Sequence, residues 1–221
     1  MRVLLFTKFP QPGMVKTRLA RSVGAETAAK LQQAFLEDQL LMLTKIGADV
    51  TLCCDPFRPL ADYERLFGTR FTYRPQQGAD LGERMLRALH RTVEETGEPA
   101  VLIGSDLPDL PDRHVSDAFA ALRDAQVCLG PATDGGFYLL GLCKPLPADI
   151  FDGVVWGGSQ VLERTLDNCA SWGLPHHLLP PWPDVDTGED LVTYAKRNQG
   201  QETRTMNLIH ALGLELATWK P

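Results

Sequence analysis

Lys16 and Arg18 stand near the end of a stretch, Thr7-Lys8-Phe9-Pro10-Gln11-Pro12-Gly13-Met14-Val15-Lys16-Thr17-Arg18-Leu19, whose two prolines and one glycine make a shaped loop. Backbone N–H groups around Gly13, held beside Lys8, Lys16 and Arg18, suit an anion, and phosphate is the natural one. Two solvated cations on a plain surface loop would read the same way from charge alone. A P-loop is excluded, because G-x-x-x-x-G-K-[ST] requires glycine where Pro10 and Val15 stand. No G-x-G-x-x-G follows the first apolar run, so a dinucleotide fingerprint is missing as well.

Carboxylates supply the second kind of chemistry. Asp106 sits in Gly104-Ser105-Asp106-Leu107-Pro108, where Pro108 stops the backbone from continuing in a sheet and leaves Asp106 at a strand end. It suits a ligand edge, or the cap of the next helix. Beside a diphosphate, like charges about 4 Å apart repel by roughly 4 kcal/mol at an effective dielectric near 20, so a hard divalent cation, Mg²⁺ or Mn²⁺, has to intervene. Pro183-Asp184-Val185-Asp186-Thr187-Gly188-Glu189-Asp190 is a second acidic cluster. Thr187 and Asp190 there have capping-box spacing, which leaves Asp186 pointing elsewhere. Thr133-Asp134-Gly135-Gly136 reads as a hairpin turn whose glycines also admit a ligand closely. Gln76-Gln77-Gly78 is a polar loop suited to a base or sugar edge, as many loops are. The adjacent His176 and His177 would face opposite ways on a strand, which argues against a paired zinc motif.

The elements that must position these groups alternate between apolar runs and helical periodicity, the pattern of strands crossing through helices into a mainly parallel sheet. Strands are expected at Val3 to Thr7, Val50 to Cys54, Phe71 to Tyr73, Ala100 to Gly104, Val127 to Gly130, Phe137 to Leu142 and about His177 to Leu179. Helices are expected from Ala25 to Ile46, from an Asp80 cap to about Thr96, from about Pro111 to Asp124, from about Ser159 to Trp172, and as a pair from Glu189 onward. The Val127 and Phe137 strands flank the glycine turn as a hairpin or as neighbours. No repeat or Gly/Ser linker divides the 221 residues, so one domain, 1–221, is expected.

Composition bounds the partners. Hydrophobic content of 44% and charged content of 23% fit a soluble globular chain. A net charge of −6 argues against a broad nucleic-acid surface, so any phosphate must be met by a local basic cluster. The N-terminal apolar run ends at Lys8, too short for a signal-peptide core or a membrane span. Five cysteines with no C-x-x-C pair fit reduced thiols, packed as small core residues in a cytoplasmic protein. Oligomeric state is not legible.

Together the first loop, Gly78-Ala79-Asp80-Leu81-Gly82-Glu83-Arg84-Met85, Gly104-Ser105-Asp106-Leu107-Pro108, Gly130-Pro131-Ala132-Thr133-Asp134-Gly135-Gly136-Phe137-Tyr138 and Val185-Asp186-Thr187-Gly188-Glu189-Asp190-Leu191 closely resemble a bacterial family of GT-A-like nucleotide-diphospho-sugar transferases. That family was long of unknown function, and some members are called arsenosugar-biosynthesis glycosyltransferases. It is similar in turn to the nucleotidyltransferases of molybdenum-cofactor and phospholactate metabolism. The resemblance implies an α/β fold with a mostly parallel central sheet and helices on both faces. It implies phosphate binding by Lys16 and Arg18, with Lys8, Pro12, Gly13, Gln77, Gly78 and Gly82 around the nucleotide. Asp106 and Asp186 would hold Mg²⁺ or Mn²⁺. Asp106 and Asp134 would be the catalytic carboxylates, and Asp134, Gly135, Gly136 and Tyr138 would meet the sugar or acceptor. The chain departs from the family pattern in carrying Gly188 where proline is usual, and Pro108 where a D-x-D would place its second Asp. The implied activity is transfer from a nucleotide-activated donor, as a nucleotide sugar, to a small acceptor. Two alternatives stay open: nucleotidyl transfer releasing pyrophosphate from an NTP, and nucleotide or metabolite binding without turnover.

Overall fold

The computed structural model describes residues 1–147 and 149–214. Its centre is β1 (Arg2–Thr7), buried at every residue after Arg2, as a strand covered on both faces must be. Parallel to it lie β2 (Asp49–Cys54) and, beyond, β3 (Thr72–Pro75) on one side, and β4 (Ala100–Gly104) on the other. Next comes β6 (Phe137–Leu142), antiparallel to β4 and to β5 (Val127–Pro131), and β7 (His176–Leu178) closes the sheet parallel to β5. The order is β3-β2-β1-β4-β6-β5-β7. The Val127 and Phe137 strands are thus hairpin partners, and β6 alone runs against the rest of the sheet.

Alternating side chains of these strands feed two cores. Val3, Leu5, Val50, Leu52, Val101 and Ile103 pack under α2 (Ala25–Lys45), α3 (Leu60–Phe67) and α5 (Asp112–Ala121). Leu4, Phe6, Leu102, Leu129, Leu140 and Leu142 pack under α4 (Leu81–Thr96) and α6 (Val161–Ser171). A third cluster joins α1 (Thr17–Val23) and α2 to α7 (Gly188–Arg197) and α8 (Arg204–Ala211), away from the sheet. Helices therefore cover both faces, as expected. Four of the five free cysteines are buried in this framework and Cys143 is half-buried. No helix among the described residues is long and apolar enough to cross a membrane.

Expected element boundaries shift by a few residues, as at β3 and α6. Two helices were not anticipated. α1 begins inside what reads as loop, because its N-terminus carries no capping side chain and only Leu19 of its residues is buried. α3 is eight residues long with Tyr63 alone fully buried, too short for a periodicity to show. The cap signals fare better. The Asp80 carboxylate accepts the Glu83 N–H at 2.9 Å, while Glu83 reaches back one residue further than a capping box requires, to the Ala79 N–H at 2.6 Å. At α7 both halves of the Thr187/Asp190 box are present, so Gly188 does not open the helix start.

The third cluster depends on one buried carboxylate. Asp38, on α2, accepts the Arg204 and Thr205 N–H groups at 2.8 and 2.9 Å and the Thr205 hydroxyl at 2.7 Å, capping α8 from a neighbouring helix. Asp38→Ala leaves three donors short of a partner and should cost about 2 kcal/mol of stability. Urea denaturation measures this, and a loss below about 0.5 kcal/mol would show that α8 docks through Met206 and Ile209 alone.

Candidate functional site

The carboxyl ends of β1 and β4, the turn between β5 and β6, and the segment before α7 open on a common cleft of about 540 Å³. This is where an open α/β sheet places its ligands. Asp106 lies just past β4, and its carbonyl accepts the Val185 N–H at 2.9 Å. That single backbone bond brings Asp184 and Asp186 beside Asp106 across a long stretch of sequence.

Between them stands Lys16. Its backbone takes the left-handed conformation, φ 48°, alone among the described non-glycine residues. Such a conformation is costly and persists only where surrounding contacts hold it. Here the side chain is turned inward, 3% exposed, with Nζ 2.6 Å from Asp106 Oδ1 and 3.0 Å from Asp186 Oδ1. It also donates to the Val185 carbonyl at 2.7 Å and lies 5.4 Å over the Phe35 ring. Burial pulls the Lys16 pKa down, but the two carboxylates outweigh it and hold the group above an ordinary lysine. Burial likewise works against the Asp186 carboxylate, and Lys16 and Arg18 together keep it below the usual range. Arg18 pairs with the other Asp186 oxygen from the exposed side. Asp184 has no such partner: burial, then the charges of Asp186, Asp134 and Asp106, push it up to about 6.

The donor chemistry here fits a hard divalent ion, since carboxylate oxygens crowd together at a water-accessible edge. Yet among the described residues no three acidic, His or Cys side chains form a metal cluster. The point on which Asp106 and Asp186 converge is held by the Lys16 ammonium.

The first loop is fastened at its far end. Asp55, buried after β2, accepts the Phe9 N–H and the Tyr63 hydroxyl, each at 2.9 Å. Phe9 stacks edge-on against Tyr63 at 5.2 Å, and Arg58 holds Gln11 Oε1 from α3's side. Asp109 ties the turn after β4 to α7 through Arg197 Nε at 2.7 Å and Asn198 Nδ2 at 2.6 Å. Neither support was legible beforehand, because an isolated Asp in a loop carries no sign of its distant partner.

Lys8, Lys16 and Arg18 line the cleft, as do Asp106, Asp134, Asp186, Gly136 and an edge of Tyr138. Pro12 and Gly13 lie outside the lining, on the exposed outer bend of the loop. Gln76 and not Gln77 reaches the cleft, its amide donating to the Cys53 carbonyl at 2.8 Å. Gln77 falls in a separate hollow of about 30 Å³ beside Arg74 and Arg87. Neighbours on an extended segment face opposite ways, which decides between the two. Gly78 and Gly82 do packing work instead: a Cβ at Gly78 would sit 2.7 Å from the Arg84 nitrogen, and one at Gly82 2.7 Å from the Trp156 ring. Gly135, φ 92°, abuts the Ser159 carbonyl so closely that any Cβ would collide with it. The Gly136 N–H donates to Asp134 Oδ1 at 2.9 Å, holding an otherwise exposed carboxylate. Tyr138 is buried, its hydroxyl bonded to His114 Nδ1 at 2.7 Å and the Pro180 carbonyl at 3.0 Å, so its ring face is not open for stacking.

Three lining features went unread. Gln32, buried on α2, bonds Ser105 Oγ at 2.9 Å and leaves its Oε1 without a partner. The signal was a polar side chain on the apolar stripe of an amphipathic helix. Ser105 itself is the second. The third is Trp156-Gly157-Gly158, a loop whose aromatic and glycines mark no motif by themselves.

Because Asp55 accepts one donor from the loop, one from α3 and the Phe57 N–H of its own turn, Asp55→Ala should free the loop while the sheet stays folded. Amide exchange at Phe9 and Gln11 should accelerate by about tenfold or more while β1 and β4 amides keep their protection. Unchanged exchange would mean that the prolines hold the loop unaided.

A family model described as "Uncharacterized protein conserved in bacteria (DUF2064)" matches residues 39–158. A solved structure from Desulfovibrio desulfuricans G20, provisionally named a nucleotide-diphospho-sugar transferase, is 34% identical, with 98% of this chain and 96% of that chain covered at a TM-score of 0.92. A cytidylyltransferase from Leptospira borgpetersenii serovar Hardjo-bovis shares the fold at 12% identity and TM-score 0.57, covering 99% of this chain and 97% of its own. A 4-diphosphocytidyl-2C-methyl-D-erythritol synthase does so at 11% identity and TM-score 0.54, covering 89% and 96%. No curated protein matches the sequence. The family match over more than half the chain, joined to 34% identity over nearly all of it, shows that this protein belongs to the bacterial DUF2064 family and carries the nucleotide-diphospho-sugar transferase fold.

Proposed function

We propose that the protein transfers a glycosyl group from a nucleotide-activated donor to a small acceptor in the cleft at the carboxyl edge of the sheet. The observation that carries this reading is the buried Lys16, delivered by the loop after β1 to the place where Asp106 and Asp186 meet. A diphosphate entering beside Arg18 offers Lys16 new anionic partners, and charge-assisted hydrogen bonds of this kind are worth roughly 1.5–3 kcal/mol each. Lys16 and Arg18 would then grip phosphate oxygens. Asp106 and Asp186, released from Lys16, would hold Mg²⁺ or Mn²⁺, whose contribution is to neutralise the diphosphate as it leaves. Asp134, fixed by the Gly136 N–H, would anchor an acceptor hydroxyl or take its proton. Gln76 and the unpartnered oxygen of Gln32 offer polar contacts to the nucleotide side of the cleft.

The family relationship supports the donor class, since the 34% identical relative is named for nucleotide-diphospho sugars. Nucleotidyl transfer is the second reading, and the cytidylyltransferase and the diphosphocytidyl-methylerythritol synthase that share the fold favour it. The two reactions break different bonds. Incubation with candidate donors, Mn²⁺ and cell extract, followed by phosphorus NMR, should give free nucleoside diphosphate. Pyrophosphate released from an NTP, with no nucleoside diphosphate, would make the second reading the better one.

Lys16 yields a prediction that needs no substrate. Lys16→Met removes the internal cation from two half-buried carboxylates, so in the absence of nucleotide the variant should bind Mn²⁺ about tenfold more tightly than wild type. Its melting temperature should also rise more steeply with added Mn²⁺. Nucleoside diphosphate affinity should fall about tenfold to a hundredfold at the same time, with nucleoside affinity unchanged. Identical Mn²⁺ responses in the two proteins would overturn the shared cation position.

A further inference from the structure

The two halves of the cleft differ in charge. Every cation that lines it among the described residues, Lys8, Lys16 and Arg18, belongs to the loop after β1 or to the first turn of α1 that follows it. The other half is built from the β5–β6 turn, the segment before α6 and the start of α4, and its lining is aromatic, aliphatic and acidic. Trp156 and Phe137 form its wall, with the Trp156 ring edge-on to both Phe137 and Phe151, at 6.4 and 5.1 Å, and Phe137 stacked on Phe151 at 5.9 Å. Leu81, Met85 and Val161 extend the apolar surface.

This wall is rigid. Gly82 lets Trp156 and Phe151 lie directly on the first turn of α4, where a Cβ would come within 2.9 Å of either ring. Gly135 lets the β5–β6 turn press on the Ser159 carbonyl, and the Gly135 carbonyl takes the Leu162 N–H at 2.9 Å. That bond also occupies one of the free N–H groups that α6 would offer an anion, and Glu163 stands in the same first turn. The carboxylates at this side are Asp134, in the turn itself, and Asp184, which lines the cleft from the segment before α7 close enough to feel the Asp134 charge.

Building on the transferase reading, we propose that the acceptor is an uncharged, hydroxyl-bearing ring compound, seated with its apolar face on Trp156 and Phe137 and its hydroxyls toward Asp134 and Asp184. A carboxylate pair accepts hydrogen bonds from hydroxyls and repels phosphate, while an aromatic face takes the C–H surface of a saturated ring. An acceptor carrying its own phosphate would need a cation on this side, and the described lining has none. The wall thereby makes Trp156 a specificity-determining residue and excludes phosphorylated acceptors.

The test is saturation-transfer NMR with two probes, phenyl β-D-glucopyranoside and glucose 6-phosphate, run with and without UDP. Calorimetric titration of UDP and GDP on the same samples reports the donor half separately. Transfer to the neutral glycoside and none to the phosphate is expected, with or without nucleotide. Trp156→Leu should weaken the glycoside about tenfold and leave nucleotide affinity unaltered. Phe137→Leu serves as a second wall variant should Trp156→Leu fail to fold. Trp172→Leu, at the exposed end of α6, should change nothing. Glucose 6-phosphate binding as well as the glycoside, or the glycoside binding equally to wild type and both wall variants, would overturn the proposal. Loss of nucleotide binding with the glycoside result intact would instead sink the donor reading and leave the wall standing.

Discussion

An ammonium group with two carboxylates around it is the constraint on which the rest of the site depends. Two anionic side chains, Asp106 and Asp186, converge in a half-buried place with Asp184 nearby, and such an arrangement is expensive unless something positive sits inside it. Lys16 does so at the cost of a left-handed backbone, which few residues other than glycine tolerate. The strain and the ion pairs explain each other. The loop is bent hard enough to aim Lys16 inward, and the carboxylates repay the bend.

Much of the surrounding architecture keeps that arrangement in register. Asp55 fixes the outer end of the loop to β2 and α3, and the Thr187/Asp190 capping box fixes the direction in which the chain leaves Asp186. Asp109 clamps the turn beyond Asp106 to the far end of α7. Each is a carboxylate accepting several donors, a strong and directional kind of bond. The acidic balance of the chain is thus partly spent inside it, on fasteners, and only in part on its surface.

The parallel core, its helices and the caps were legible because they are local. A covered strand is apolar at each residue, a cap lies three residues from its partner, and Pro108 ends a strand by its own chemistry. The meeting of Asp106 with Asp186 was implied by the family resemblance and not by local pattern, because Asp186 ends no strand and lies in the segment before α7. What stayed hidden is long-range or conformational. Lys16 reads as a phosphate ligand or a solvated cation, and no local pattern shows it already paired with Asp106 and Asp186. Gln76 and Gln77 differ only in which way an extended backbone turns them. Tyr138 looks like a stacking platform from its neighbours Gly135, Gly136 and Phe137, yet Gly130 opposite it leaves the space into which its ring sinks. Trp156 carries no motif, and its place in the cleft follows from Gly82, more than seventy residues away in sequence.

The reversed strand β6 has an effect on how the two halves of the cleft depend on each other. The half with the basic loop is assembled from parallel strands, whose crossovers bind distant segments together, and no part of it can be altered without disturbing its neighbours. The other half hangs on a hairpin, closed by a five-residue turn between adjacent strands and paired mainly with itself and β4. Sequence-local construction of that kind is separable. The turn can drift in composition while the parallel part keeps its geometry. A change of recipient would need a new hairpin turn together with a new residue at Trp156, set against an unaltered grip on the activated partner.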